Sequence, residues 1–171
     1  MRYEKNYAEI RCTMNSPRYY LDYIVHYLVS HSRHGTHSPF VYRLLEDVIY
    51  ASKSEEEPVG KVERLIARIA DRFGRNTVYR IGTPLPNQPL DVIVSDMLDG
   101  EALAACLQQL RPSIHKQTVL VISGIYRNGN MKRLWQDLQK RPDVTVTIDL
   151  FRLGLVFFHD GQAKEHFRIR F

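Results

Sequence analysis

The sequence has little of what builds a membrane, metal-bound or disulfide-linked protein. Its 171 residues include only two cysteines, Cys12 and Cys106, which are far apart and give neither a metal-ligand spacing nor a disulfide framework. No apolar run approaches the ~18 residues of a membrane helix. The first residues also lack the apolar segment of a secretory signal. We therefore expect a cytoplasmic protein without a membrane segment.

The chain also has no large excess of charge of either sign. It carries 24 basic and 19 acidic residues, a formal net charge of +5. Such an excess tolerates an acidic partner, so RNA binding is kept as an alternative, but a solvated basic surface explains it more simply. With 44% hydrophobic and 25% charged residues, the composition is typical of one globular domain.

The first third of the chain has helical periodicity. Residues 1–13 are polar and irregular, and they are either a mis-called extension before Met14 or a disordered arm. Residues 14–57 then predict a helical lead-in that packs as one unit with an α/β domain over residues 58–171. Its first helix has an apolar stripe at helical spacing. That stripe consists of Leu21, Ile24, Val25 and Leu28.

Two further helices are predicted before Thr77, where the residue pattern changes. Ser38 and Pro39 suit a helix start, and another helix follows Pro58 and ends at Gly74. After Thr77, short β-rich runs alternate with helical ones. This alternation predicts an α/β fold with a largely parallel sheet of about five strands and an antiparallel C-terminal strand. The ending HFRIRF alternates apolar and polar residues, as expected of a half-buried edge strand.

Several segments, in this order, resemble class I SAM-dependent methyltransferases. They are HGTHSPFVYRLLEDV, VYRIGT, DVIVSD, VLVISGIYRNGNMKRLWQDLQ and VTVTIDLFRLGLVFF with the ending KEHFRIRF. The chain is most similar to a bacterial O-methyltransferase-like group with a helical HSPFV lead-in. The resemblance covers nearly all of the chain after Met14 and implies a reduced Rossmann-like sheet.

Matched to that family, the chain has no second and third strands. TVYRIGT matches the first strand, DVIVSD the fourth, TVLVIS the fifth, VTVTIDL the sixth and GLVFF the seventh. Only the eight residues from Thr83 to Leu90 stand where the family has helix, strand, helix and strand. The carboxylate that holds the ribose of S-adenosylmethionine in the family ends the second strand, so it has no counterpart here.

The cofactor loop of the family is altered as well. The resemblance implies Gly82, Thr83 and Asp96 as cofactor-binding residues if the site survives. Two residues before Gly82 the family has an acid facing the cationic end of the cofactor, whereas this chain has Arg80. The prolines that follow remove backbone donors and favour an extended path between two parallel strands, with a reversed pairing as the fallback.

A metal site is not expected. The metal-dependent members of the family place an ion on an aspartate matching Asp96 and on a pair of residues matching Ser123 and Gly124, which supply no carboxylate. Asp99 is interpreted as a solvated or helix-capping residue. The loop with His31, His34 and His37 has two imidazoles at a metal-like spacing but no further ligand beside them, so we interpret it as a packed connector.

These observations predict a methyltransferase-like domain that is degenerate for S-adenosylmethionine binding. We expect it to act as a scaffold or interaction domain, as a homo-oligomer or with a protein partner, through the helical lead-in or an exposed sheet edge. The alternatives are a SAM-dependent methyltransferase with an altered cofactor site and an RNA-binding protein. No catalytic residue and no substrate can be assigned.

Overall fold

The computed structural model describes residues 16–31, 38–74, 77–159 and 163–171. It is an α/β structure with one six-stranded sheet. The strands are β1 Val78–Arg80, β2 Leu90–Ser95, β3 Ile114–Ser123, β4 Val146–Asp149, β5 Leu153–Phe157 and β6 Glu165–Arg168. Among the described residues, the α-helices are α1 Pro17–Val29, α2 Pro39–Leu44, α3 Lys61–Phe73, α4 Gly100–Leu110 and α5 Gly129–Lys140.

The sheet is mixed, but five of its six strands run in the same direction, as expected of a largely parallel sheet. Its order is β1-β2-β3-β5-β4-β6, with β1, β2 and β3 parallel to one another and β4 parallel to β6. Strand β5 is antiparallel to both of its neighbours. Only Leu150, Phe151 and Arg152 separate β4 from β5, which is enough for a reversal but not for a crossover helix. The ending HFRIRF adds the sixth strand at the edge, with the predicted alternation of burial.

Helices cover both faces of the sheet. One apolar core lies between the sheet and helices α2 and α3, and a second lies between the opposite face and helices α4 and α5. All residues of β2 are buried, as expected for a strand whose two sides are both covered. The strand pairs leave the carboxyl ends of β1, β2 and β3 together at one edge of the domain.

The second and third helices form where the sequence predicts them. Val41, Leu44, Leu45 and Val48 are all buried. Helix α2 continues directly into a π-helical turn over Leu45–Ile49. Helix α3 ends at Phe73 with Gly74 as its C-cap.

The caps of α4 and α5 both come from side chains in the preceding loops. Asp99 accepts hydrogen bonds from the backbone N–H groups of Glu101 and Ala102, at 2.9 and 3.2 Å, and so caps α4 as interpreted from the sequence. In α5 the cap is Asn128, whose Oδ1 accepts from the N–H of Met131 at 2.9 Å. From the sequence, Asn130 is predicted to cap this helix because it directly precedes Met131, the first of its apolar residues. That prediction is wrong, because Asn130 is already inside the helix.

The predicted first helix is present, but its apolar stripe faces outward. Helix α1 begins at Pro17 because Ser16 caps it, accepting from the N–H of Tyr19 at 3.2 Å. The side that contacts the domain carries Tyr19, Asp22 and His26, and of the helix residues His26 alone is buried. All four residues of the stripe are more than half exposed: Leu21, Ile24, Val25 and Leu28.

Some expectations from the sequence concern residues that the structure does not describe. Residues 1–13, Met14, His34 and His37 lie outside the described residues. Within the described ranges, no helix combines the length and the apolar character needed to span a bilayer.

Candidate functional site

The residues implied as a cofactor site lie at the carboxyl ends of β1, β2 and β3. In the register of the β1–β2 pair, Arg80 is opposite Val94, which places it close to Asp96 just past the end of β2. Ser123 is the last residue of β3, the next strand across. Ligands of open α/β sheets bind outside the carboxyl ends of the strands. The sheet therefore brings the predicted residues to the edge where a cofactor would bind.

The carboxylate of Asp96 is engaged on both oxygens. Arg80 donates from its guanidinium to Oδ2, and the Ser123 hydroxyl donates to Oδ1 at 2.7 Å. The Arg80 and Asp96 side chains are each 51% exposed. Solvent thus reaches the ion pair, but any ligand that uses Asp96 as an acceptor must compete with Arg80 and Ser123 for its oxygens.

The loop after β1 satisfies its own donors. Both the N–H and the hydroxyl of Thr83 donate to the carbonyl oxygen of Arg80, at 3.1 and 2.8 Å. The Tyr79 hydroxyl donates in turn to the carbonyl of Thr83 at 3.3 Å. Gly82 turns the chain at φ +100°, a conformation that favours glycine. This loop is a closed turn whose polar groups point back into the strand end.

The segment from Pro84 to Pro89 connects two parallel strands without a helix. Its residues are exposed except for the partly buried Pro86. The parallel pairing of β1 and β2 predicted across this short segment is present, and the reversed pairing is wrong. A parallel pair ordinarily needs a crossover of a dozen or more residues. The segment carries no acid, so it supplies no carboxylate for a ribose.

Ser123 and Gly124, which match the metal-binding pair of the family, lie at a turn with a different role. Gly124 adopts φ +70°, and its N–H donates to the carbonyl of Arg152 at 2.7 Å. Asp99 caps α4 and does not join Asp96. Within the part of the chain that the structure describes, no group of three or more His, Cys, Asp or Glu side chains could hold a metal ion.

His31 takes part in the sheet through its backbone. Its N–H donates to the carbonyl of Arg168 at 2.8 Å, and its carbonyl accepts from the N–H of Arg170 at 3.3 Å. These contacts form an isolated parallel bridge to Ile169. The described end of the histidine loop is thus a connector.

A second polar cluster, which the sequence did not reveal, surrounds Asp149 at the end of β4. Its buried carboxylate lies 2.9 Å from His26 Nε2 and accepts from the Tyr126 hydroxyl at 2.7 Å. Burial, reinforced by the nearby carboxylate, raises the pKa of Tyr126. Phe151, at φ +64°, donates its N–H to Asp149 and stacks on the Tyr126 ring. The sign of this cluster in the sequence is the acid, Asp149, that ends the predicted strand VTVTID.

Three shallow cavities lie away from the candidate cofactor site. The largest of them, about 350 Å³, lies between α2 and α3 beside Phe40 and Phe73. Another, about 210 Å³, lies between α1 and the ending of the chain, beside His26 and Phe171. The third, about 230 Å³, adjoins Lys61 and Arg68. None of these three is lined by Gly82, Thr83 or Asp96.

Comparisons with known proteins identify no relative of this chain. No family model matches the chain, and neither the curated proteins nor the solved structures contain a match. What the chain does must therefore be argued from its own residues.

Proposed function

We propose that this chain is a methyltransferase-like α/β domain that does not bind S-adenosylmethionine and that acts as a scaffold or interaction domain. The observation that carries the proposal is the Arg80–Asp96 ion pair at the carboxyl ends of β1 and β2. It places the positive charge of Arg80 beside Asp96, the carboxylate that the cofactor would need. The residues present do not fit the cofactor.

The strand order supports a derivation from a larger sheet. In the doubly wound order 3-2-1-4-5-6, removal of strands 2 and 3 leaves strand 1 at the edge, directly beside strand 4. Here β1 is the edge strand, parallel to β2, which is parallel to β3. The residues from Thr83 to Pro89 then join strand 1 directly to strand 4, in place of the two removed strands and their helices.

Electrostatics oppose the cofactor at the same place. The sulfonium of S-adenosylmethionine and the Arg80 guanidinium carry the same sign of charge. Two such charges ~4 Å apart repel by roughly 1 kcal/mol in water, and by several-fold more where water is excluded. Because both oxygens of Asp96 already accept hydrogen bonds, the ligand gains less from this carboxylate than from one without such partners.

The test is isothermal titration of the full chain with S-adenosylmethionine and S-adenosylhomocysteine. We expect no binding tighter than ~100 μM, which corresponds to about 5.5 kcal/mol. Tighter binding to the wild type that is lost in Asp96→Ala would overturn the proposal, and would favour a methyltransferase with an altered site at Gly82, Thr83 and Asp96. Equally tight binding that Asp96→Ala leaves unchanged would also overturn it, because the chain would then hold the cofactor without this carboxylate.

A further inference from the structure

Helix α1 is oriented opposite to the usual amphipathic helix on a domain surface. Its inward side holds the domain through polar contacts, with Asp22 Oδ1 2.6 Å from Lys132 Nζ and His26 beside Asp149. Tyr19 packs on Phe151 from the same side, and Tyr23, which also contacts Phe151, lies at the border of the two sides. A helix that only covered a core would turn its aliphatic residues inward.

The outward side of α1 is apolar and continuous. Five large side chains in the middle of it are between 53% and 71% exposed. At 100° per residue they occupy one connected arc of about 140° without a charged residue. Arg18 borders this arc beside Val25, the Arg170 guanidinium lies over Tyr27 at its other border, and Asp22 points inward. The five are Tyr20, Leu21, Ile24, Val25 and Leu28.

The size of this surface is that of one side of a small interface. Taking about 170 Å² for a fully exposed large side chain, the five residues present roughly 500 Å². This is as large as the largest apolar patch of a typical monomer, about 300–600 Å². Two such faces together bury about 1,000 Å², the lower range of specific interfaces. The outward face of α1 is therefore large enough to form the centre of an interface with a second such face.

We infer that the outward face of α1 binds the same face of a second copy, giving a homodimer around a two-fold axis. An interface of this kind needs a single self-complementary patch on each chain. The middle of the face has no charge that would select an acidic or basic partner, whereas two apolar helix faces interlock as ridges and grooves. The inference names the partner for the interaction role proposed above and rests on that proposal.

The exposed sheet edge is a weaker candidate for self-association. Strand β1 pairs only with β2, but it is just three residues long. Very short edge strands are one way in which proteins avoid edge-to-edge pairing. Of the two surfaces expected from the sequence, the helical lead-in thus provides the interface.

The test is the mass of the full chain in solution, measured by sedimentation at ~50 μM and after serial dilution. We expect a dimer for the wild type. Leu28→Lys and Ile24→Lys put a charge at positions that are 71% and 53% exposed, so both should fold normally. Each should raise the dimer dissociation constant on the order of 100-fold. Val59→Lys, at an apolar position that is 86% exposed but lies outside α1, is the matched control and should remain a dimer.

Other outcomes overturn the inference. A monomeric wild type, or a dimer that Leu28→Lys and Ile24→Lys leave intact, excludes this interface. A monomer that floats with zwitterionic phosphatidylcholine vesicles, and stops doing so in Leu28→Lys, assigns the face to a membrane surface instead. The titration with S-adenosylmethionine is independent of all these results, so failure of the dimer and failure of the proposed function can be told apart.

Discussion

His26 Nε2 on α1 lies 2.9 Å from Asp149 Oδ1 at the end of β4, and both side chains are almost fully buried. The same carboxylate accepts hydrogen bonds from the Tyr126 hydroxyl and from the N–H of Phe151. One buried acid thus joins the first helix, the loop after β3 and the turn between β4 and β5. Because the pKa of Tyr126 is raised, its phenol stays protonated and remains a donor at neutral pH.

We expect His26→Ala to lower the free energy of unfolding by about 2 kcal/mol, because it removes a polar partner of the buried Asp149 carboxylate and the ring that packs on Tyr126 and Phe151. Tyr126 and Phe151 still bind Asp149 in the variant, so the domain should remain folded. Urea denaturation followed by circular dichroism measures the loss.

His31→Ala is the matched control for His26. The His31 side chain is exposed, and its backbone pairing with Arg168 and Arg170 survives the change. Its effect should stay within about 0.5 kcal/mol. Equal losses in the two variants would show that the Asp149 contact does not hold α1 in place.

The periodicity of α1 predicts that a helix forms but not which side faces the protein. Leu21, Ile24, Val25 and Leu28 repeat as in a core-facing stripe, yet they are exposed. The inward side is chosen by Asp22 and His26, whose partners are Lys132 and Asp149. Those partners are more than a hundred residues away in the chain, so no local pattern contains them.

The same limit applies to the candidate cofactor site. The sequence places Arg80 and Asp96 at the ends of two strands, and the parallel pairing of those strands is confirmed. The ion pair between them depends on the register, in which Arg80 is opposite Val94. Strand positions and burial could be read from apolar runs, and the resemblance implied that β1 and β2 are neighbours, whereas side-chain pairing across strands could not be predicted.

The salt bridge between Glu57 and Arg68 predicts a defined pH dependence of stability. Arg68 donates to both carboxylate oxygens of Glu57 and to the carbonyls of Val48, Ala51 and Ser52, which ties the loop after α2 to α3. The hydrogen bond from Arg68 lowers the pKa of Glu57 from 4.5 to about 2. A lowered pKa means that the stabilisation is complete above pH 4.5 and is lost as the pH falls toward 2.

Glu57→Gln removes this carboxylate and should remove its share of the pH dependence. We expect the difference in unfolding free energy between wild type and Glu57→Gln to be constant above about pH 5 and to shrink between pH 4.5 and 2. Urea titrations at a series of pH values measure it. Glu56→Gln, at the exposed neighbouring residue, should differ from the wild type by a small and nearly pH-independent amount. A parallel profile for Glu57→Gln and wild type would contradict the assigned ion pair.

Two asparagines at the start of α5, Asn128 and Asn130, have different roles. Asn128 accepts from the N–H of Met131 and donates from Nδ2 to the carbonyl of Leu98, at 2.9 and 2.7 Å. Asn130 is an exposed residue of the first turn. We expect Asn128→Ala to lower the unfolding free energy by about 1–2 kcal/mol. Asn130→Ala should stay within about 0.5 kcal/mol, and a reversed ranking in thermal or urea unfolding would favour Asn130 as the cap.

Arg80 and Asp96 should contribute little to stability, although they occupy the candidate site. Both side chains are half exposed, and exposed ion pairs have coupling energies of at most about 1 kcal/mol. A double-mutant cycle with Arg80→Ala and Asp96→Ala, measured by urea unfolding, should give a coupling in that range. Since salt screens exposed charges, the coupling should also fall at high ionic strength. A coupling of several kcal/mol that resists salt would mean that the pair is part of the folded core. A small one means that Arg80 can be replaced without disturbing the fold, so that any binding of S-adenosylmethionine gained by Arg80→Ala reports directly on the charge that excludes it.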